Sequence, residues 1–131
     1  MSTDAPQSNV ALPITGSCHC GAVSFEMNAV PRYAVECNCS ICRSLGTVWG
    51  HGQGAEITIH AAPEATIRYF RGEKELAFHT CRTCGSTTHW EAVKGEALGR
   101  LAVNLRLAEP GTIEAIGHRK FDGAETWTFL D

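Results

Sequence analysis

A chain of 131 residues, 44% apolar and 19% charged, suits one globular domain and leaves little room for two. Its formal net charge of −3 excludes the basic footprint that nucleic-acid phosphates demand. No apolar run approaches the roughly eighteen residues that a membrane span needs.

The first ten residues carry Asp4 and Pro6 and lack both a basic n-region and an apolar h-region. No secretory leader is expected, and the expected compartment is the reducing cytoplasm, where disulfides rarely persist. Residues 1–11 show no periodicity and read as a flexible tail, with the domain over 12–131. Beyond Leu12 all 13 glycines and every proline except Pro6 cut the chain into short pieces. Segments that alternate, or that carry β-branched and aromatic residues, predict strands at 22–28, 33–37, 47–49, 56–60, 66–70, 76–80 and 86–91. Further strands are predicted at 100–105, 113–116 and 126–130, and a short helical turn at 40–45. Many short strands between turn residues indicate a mainly β domain.

The seven cysteines fall into three clusters: Cys18-His19-Cys20-Gly21, Cys37-Asn38-Cys39-Ser40-Ile41-Cys42, and Cys81-Arg82-Thr83-Cys84-Gly85. Free cysteines acting as small hydrophobes would be scattered among core positions; none of these is. Zinc holds thiolates at about 2.3 Å in a tetrahedron, so ligand sulfurs must approach within about 4 Å of each other. In C-x-x-C the chain turns around the metal, and a following glycine such as Gly85 supplies the positive φ such a turn often needs. In C-x-C both side chains leave an extended segment on the same side. Cys18, Cys20, Cys81 and Cys84 can therefore close one four-thiolate site, and Cys37, Cys39 and Cys42 can hold a second metal with its fourth position open. Spacing alone also permits other partitions, a pair of disulfides, or a histidine (His19, His51, His79 or His89) as the fourth ligand of the second site.

An open three-thiolate zinc is a weak Lewis acid, because its sulfurs more than neutralise the metal. It is well suited to binding a substrate thiol and holding it as thiolate. The residues themselves thus point to a thiol, or a small electrophile delivered to one.

Gly16-Ser17-Cys18-His19-Cys20-Gly21, residues 37–42 and Cys81-Arg82-Thr83-Cys84-Gly85-Ser86 resemble the glutathione-dependent formaldehyde-activating enzyme (Gfa) family, which also includes centromere protein V. Residues 103–106 and 121–127 resemble its short bacterial members. The resemblance implies a β-tent fold and two zinc ions per chain. It implies that Cys18, Cys20, Cys81 and Cys84 hold a structural zinc, and that Cys37, Cys39 and Cys42 hold a catalytic one. It further implies carbon–sulfur lyase chemistry, the condensation of formaldehyde with glutathione to S-(hydroxymethyl)glutathione. The expected partner is a small thiol such as glutathione, with neither nucleic acid nor membrane. A non-catalytic, zinc-stabilised binding module of the same fold is the alternative.

Outside the cysteines, His51 in the glycine-rich stretch 49–54 is expected in an exposed loop, with a pocket-lining role as the alternative. His79 should share a face with Cys81, either donating to a thiolate or packing. Trp49, Trp90 and Trp127 are expected in the core. Arg106, on the same strand face as Asn104, is expected in a structural ion pair or against a substrate carboxylate.

Overall fold

Alternation settles the first sheet. In Val23–Met27 the buried residues are Val23, Phe25 and Met27, at every second position, as a half-buried strand requires. The computed structural model describes residues 10–72 and 74–131; of the expected tail, residues 1–9 lie outside the described residues, while Val10 packs against the core. Strands β1 (Ile14–Ser17), β2 (Val23–Met27) and β3 (Ala34–Cys37) precede helix α1 (Ser40–Leu45). Then come β4 (Trp49–Gln53), a 3-10 turn at Gly54–Glu56, β5 (Ile57–Ala61), β6 (Thr66–Arg71), β7 (Leu76–Cys81), β8 (Thr87–Ala92) and β9 (Arg100–Asn104). A 3-10 turn at Leu105–Leu107, helix α2 (Thr112–Ile116), β10 (His118–Asp122) and β11 (Thr128–Phe129) follow. The fold is mainly β, as expected. No described helix is long and apolar enough to cross a membrane.

Strands β1-β2-β5 form a small sheet, and β11-β10-β3-β4-β9-β8-β7-β6 form a large one. The β3–β10 pairing is parallel, which brings the last third of the chain beside the segment carrying Cys37. Between the sheets lie Ile14, Phe25, Met27 and Ile57 from the small sheet and Val103, Leu105 and Ile116 from the other side. Neighbouring strand residues face opposite ways, so Ala102, Trp49, Phe78 and Trp90 cluster on the far face of the large sheet, with Cys39 and Cys42.

Three expectations need correction, and strands β1 and β10 were not expected. Residues 113–116 form helix α2 rather than a strand, because Ile113 and Ile116, three apart, both reach the core, a helical spacing rather than an alternating one. The strand expected at 47–49 begins at Trp49 and runs through the glycines to Gln53; at Gly50 a Cβ would meet Leu105 at 2.9 Å, so the glycine marks close packing rather than a loop. Strand β10 was hidden by its charged sequence, HRKFD. The last strand is only Thr128–Phe129, since Trp127 has φ of 59°.

Candidate metal centres and active-site cavity

The four-cysteine group is assembled by two turns. Cys18 and Cys20 leave the end of β1, and Cys81 and Cys84 lie where β7 gives way to the turn before β8. All four sulfurs lie within 4.8 Å of one another. Cys20 Sγ is 3.7 Å from Cys18 Sγ and 3.6 Å from Cys81 Sγ, near the edge of a tetrahedron with about 2.3 Å metal–sulfur bonds, about 3.8 Å. None of the seven cysteines forms a disulfide. Gly85 takes φ of 82°, the positive value the turn needs. Backbone N–H groups of Val23 and Cys84 donate to Cys18 and Cys81 sulfur at 3.3 and 3.5 Å. The Ser86 hydroxyl, 3.4 Å from Cys84 Sγ, is the leading cause that brings this thiol down to about 5. The group packs on Val23, Ile59 and Ala65. This donor set fits a closed metal site.

The second group, Cys37, Cys39 and Cys42, also gathers its sulfurs within 4.8 Å. Cys37 ends β3 and Cys42 lies in α1, whose first turn folds the chain back over Cys39. The indole N–H of buried Trp49 donates to Cys42 Sγ at 3.3 Å, and Arg71 Nη1 lies 3.7 Å from Cys39 Sγ. Burial pushes the Cys42 thiol up to about 12, so three thiolates here require a cation among them. Among the described residues no histidine joins either group. A three-cysteine set with no fourth Cys, His, Asp or Glu donor among the described residues fits a metal that keeps a position for a ligand.

All three cysteines lie on the wall of a cavity of about 560 Å³. Trp49 and Trp90 pack edge to face at 6.5 Å, and Phe78 meets Trp49 at 5.9 Å. Phe121, also on the wall, meets Trp127 at 5.1 Å and Phe129 at 5.1 Å. His51, on β4, lines the cavity rather than an exposed loop, with its ring 5.7 Å from that of Trp90; burial, then Arg100, brings its imidazole down to about 4. Trp49 and Trp90 are core residues, as expected, and cavity walls as well. Trp127 is not core: it is 71% exposed and lines the mouth.

Asn38, between the first two cysteines of this group, ties it to the C-terminal turn. Its Nδ2 donates to Asp122 Oδ1 at 3.1 Å, and its Oδ1 accepts from the Ala124 N–H at 3.0 Å. Asp122 also accepts from Thr126 Oγ1 at 2.8 Å; these donors, Thr126 first, hold its carboxyl below the usual range. Gly123 lies so near the cysteines that a Cβ there would sit 2.5 Å from Cys37 Sγ.

The remaining expectations resolve elsewhere. His79 bonds Thr66 at 2.7 Å and Glu91 at 2.6 Å rather than a thiolate, and stacks on His89 at 4.2 Å; it packs. His19 is exposed. Arg106 lies on a 3-10 turn, not a strand, and donates to the Gly46 carbonyl at 2.7 Å; among the described residues it forms no ion pair, and it does not line this cavity. Arg71, Arg100, Phe121 and Phe129 line the cavity with no sequence motif to mark them; only the pairing of distant strands unites them.

Two comparisons with known proteins bear on this arrangement. A solved structure of a Rhodobacter sphaeroides protein, 28% identical, matches 74% of this chain and 89% of its own with a TM-score of 0.64. The family model for glutathione-dependent formaldehyde-activating enzyme matches residues 13–127. The chain belongs to the glutathione-dependent formaldehyde-activating enzyme family.

Proposed function

We propose that residues 12–131 form a two-zinc enzyme domain of the β-tent type that joins a small thiol to an aldehyde, or reverses that step, as a carbon–sulfur lyase. Cys18, Cys20, Cys81 and Cys84 are the structural ligands in this reading, and Cys37, Cys39 and Cys42 the catalytic ones. The observation that carries it is the opening of the three-cysteine group onto the aromatic cavity. Zinc at that group would supply the means to keep a substrate thiol ionised at neutral pH.

The chain's own residues supply the rest. Asn38 and Asp122 fix the cysteine loop, so the sulfurs are already gathered before substrate arrives. The Trp49–Trp90–Phe78 wall keeps bulk water from the reacting sulfur. In the forward direction the thiol gives its proton to solvent, the thiolate sulfur attacks the carbonyl carbon, a C–S bond forms as the C=O π bond breaks, and the oxygen takes one proton back from solvent. His51, brought down to about 4, is neutral at physiological pH and adds no charge to the wall.

Formaldehyde consumption can be followed by NMR with a panel of thiols that includes glutathione, using zinc-loaded protein. The expected result is acceleration over the uncatalysed addition with at least one thiol, abolished in Cys42→Ser. No acceleration with any thiol, in protein carrying two zinc ions per chain, would overturn the reading and favour a zinc-stabilised binding module.

A further inference from the structure

The cavity wall is chemically one-sided. Its polar side chains, apart from the cysteines and the indole N–H groups, are Tyr33, His51 and the three arginines Arg32, Arg71 and Arg100; no carboxylate lines it among the described residues. Arg71 and Arg100 form no ion pair among the described residues. Two cations on a cavity wall that holds no carboxylate among the described residues give it a positive potential that an anionic ligand relieves. Guanidinium groups match carboxylates geometrically as well as in charge.

The remainder of the wall is aromatic or aliphatic. Trp49, Phe78 and Trp90 form one aromatic cluster on it, and Phe121, Trp127 and Phe129 another. Such a chamber favours a flat or branched apolar body over a peptide, whose amide groups would lose water without gaining partners. Glutathione carries two carboxylates that could meet the arginines, but also two peptide groups and an ammonium. The ammonium would enter a wall that offers arginines and no carboxylate. A volume of about 560 Å³ admits either kind of molecule, so polarity, not size, decides. Position decides the rest: Arg71 Nη1 is 3.7 Å from Cys39 Sγ, so a carboxylate on Arg71 lies close to the cysteine group. A thiol and a carboxylate separated by only a few bonds can then be satisfied together.

We infer that the cavity takes a mercaptocarboxylate with an apolar, ring-bearing body in preference to glutathione, its carboxylate held by Arg71 and Arg100. The thiol's placement rests on the reading that the three-cysteine group holds a metal open to a ligand; the body and carboxylate preferences rest on the wall alone.

Four probes separate these parts: 2-mercapto-3-phenylpropanoate, 2-phenylethanethiol without the carboxylate, 3-phenylpropanoate without the thiol, and glutathione. Each is titrated into zinc-loaded full-length protein, with binding read by calorimetry and by the fluorescence of Trp49, Trp90 and Trp127, all on the wall. The mercapto acid should bind at least about tenfold tighter than glutathione. Removing its carboxylate should cost about tenfold or more, as for a hydrogen-bonded charged group. Arg71→Gln and Arg100→Gln should each weaken both acids and leave 2-phenylethanethiol nearly unaffected. Arg100→Gln is the cleaner variant of the two for metal retention, since among the described residues it is Arg71, not Arg100, that bonds a cysteine. Glutathione binding as tightly as the mercapto acid, or acid affinity unchanged in both variants, would overturn the inference. If the mercapto acid binds no tighter than 3-phenylpropanoate while both arginines still matter, the thiol–metal reading fails and the carboxylate preference stands.

Discussion

Asn38 donates its side-chain amide to Asp122 at 3.1 Å, across 84 residues of sequence. This bond clamps the three-cysteine loop onto the turn that follows β10. Asp122 in turn accepts from the Glu125 N–H at 3.2 Å and from Thr126 Oγ1 at 2.8 Å, so a single carboxylate organises both segments. Groups that orient metal ligands typically matter by 10–100-fold in metal affinity. Asp122→Ala should therefore weaken zinc at the three-cysteine group by about that factor and leave the four-cysteine group unchanged. Competition with a chromophoric chelator, resolved into two binding phases, checks it.

Gly123 gives a steric version of the same test. A methyl group there would sit 2.5 Å from Cys37 Sγ and 3.2 Å from Cys39 Cβ, and the first of these is too close to persist. Gly123→Ala should displace Cys37 and lose the second zinc, at a cost in stability of about 1–3 kcal/mol. Metal analysis alongside urea unfolding distinguishes this from general unfolding: one zinc should remain on a folded chain.

The two cysteine groups should differ in consequence. Cys81 joins the β7–β8 turn to the end of β1, and Cys81→Ser breaks a clamp between the two sheets. Structural zinc contributes about 10–16 kcal/mol in small peptides, against a domain stability of about 5–15 kcal/mol. Cys81→Ser should therefore leave little folded protein at 37 °C, as far-UV and near-UV circular dichroism would show. Cys42→Ser should fold and lose only the metal at the cavity.

His89 makes stability fall on acidification. Burial, then the neighbouring His79, brings its imidazole from 6.5 down to about 3. Below the unfolded value the unfolded chain takes up a proton that the folded chain refuses until near the lower one. Stability from this group is intact above about pH 6.5 and declines as pH falls, by at most about 1.4 kcal/mol per pH unit. His89→Gln removes this dependence. Zinc release also grows with acid, so the quantity to measure is the difference in urea-unfolding free energy between wild type and variant, both zinc-saturated, at about pH 7 and about pH 5.5. The wild type should lose stability relative to His89→Gln at the lower pH.

The cysteine clusters were legible because each is local: Cys37, Cys39 and Cys42 lie within six residues, and Cys81 and Cys84 span a single turn. Which clusters meet was not, since spacing alone allowed other partitions and only the family resemblance implied that Cys18 and Cys20 join Cys81 and Cys84. Locality also made the strands with alternating burial legible, β2 above all. The cavity was not. Arg71 ends β6 and Arg100 begins β9, while Phe121 and Phe129 arrive through the parallel pairing of β10 with β3. No local pattern specifies that pairing, and HRKFD hides a strand behind charge. Trp127 misleads for another reason: a large aromatic residue suggests core, yet a backbone at φ of 59° carries it to the cavity mouth.

The central claim is that four cysteines close one metal site and three leave another open to a thiol. Cobalt titration of freshly reduced, metal-free protein tests it directly, because thiolate–cobalt bands report sulfur donors and coordination geometry. The account predicts two equivalents bound, with the spectrum of one unchanged and that of the other shifted when a small thiol is added. A single equivalent, or two whose spectra both ignore added thiol, would contradict it.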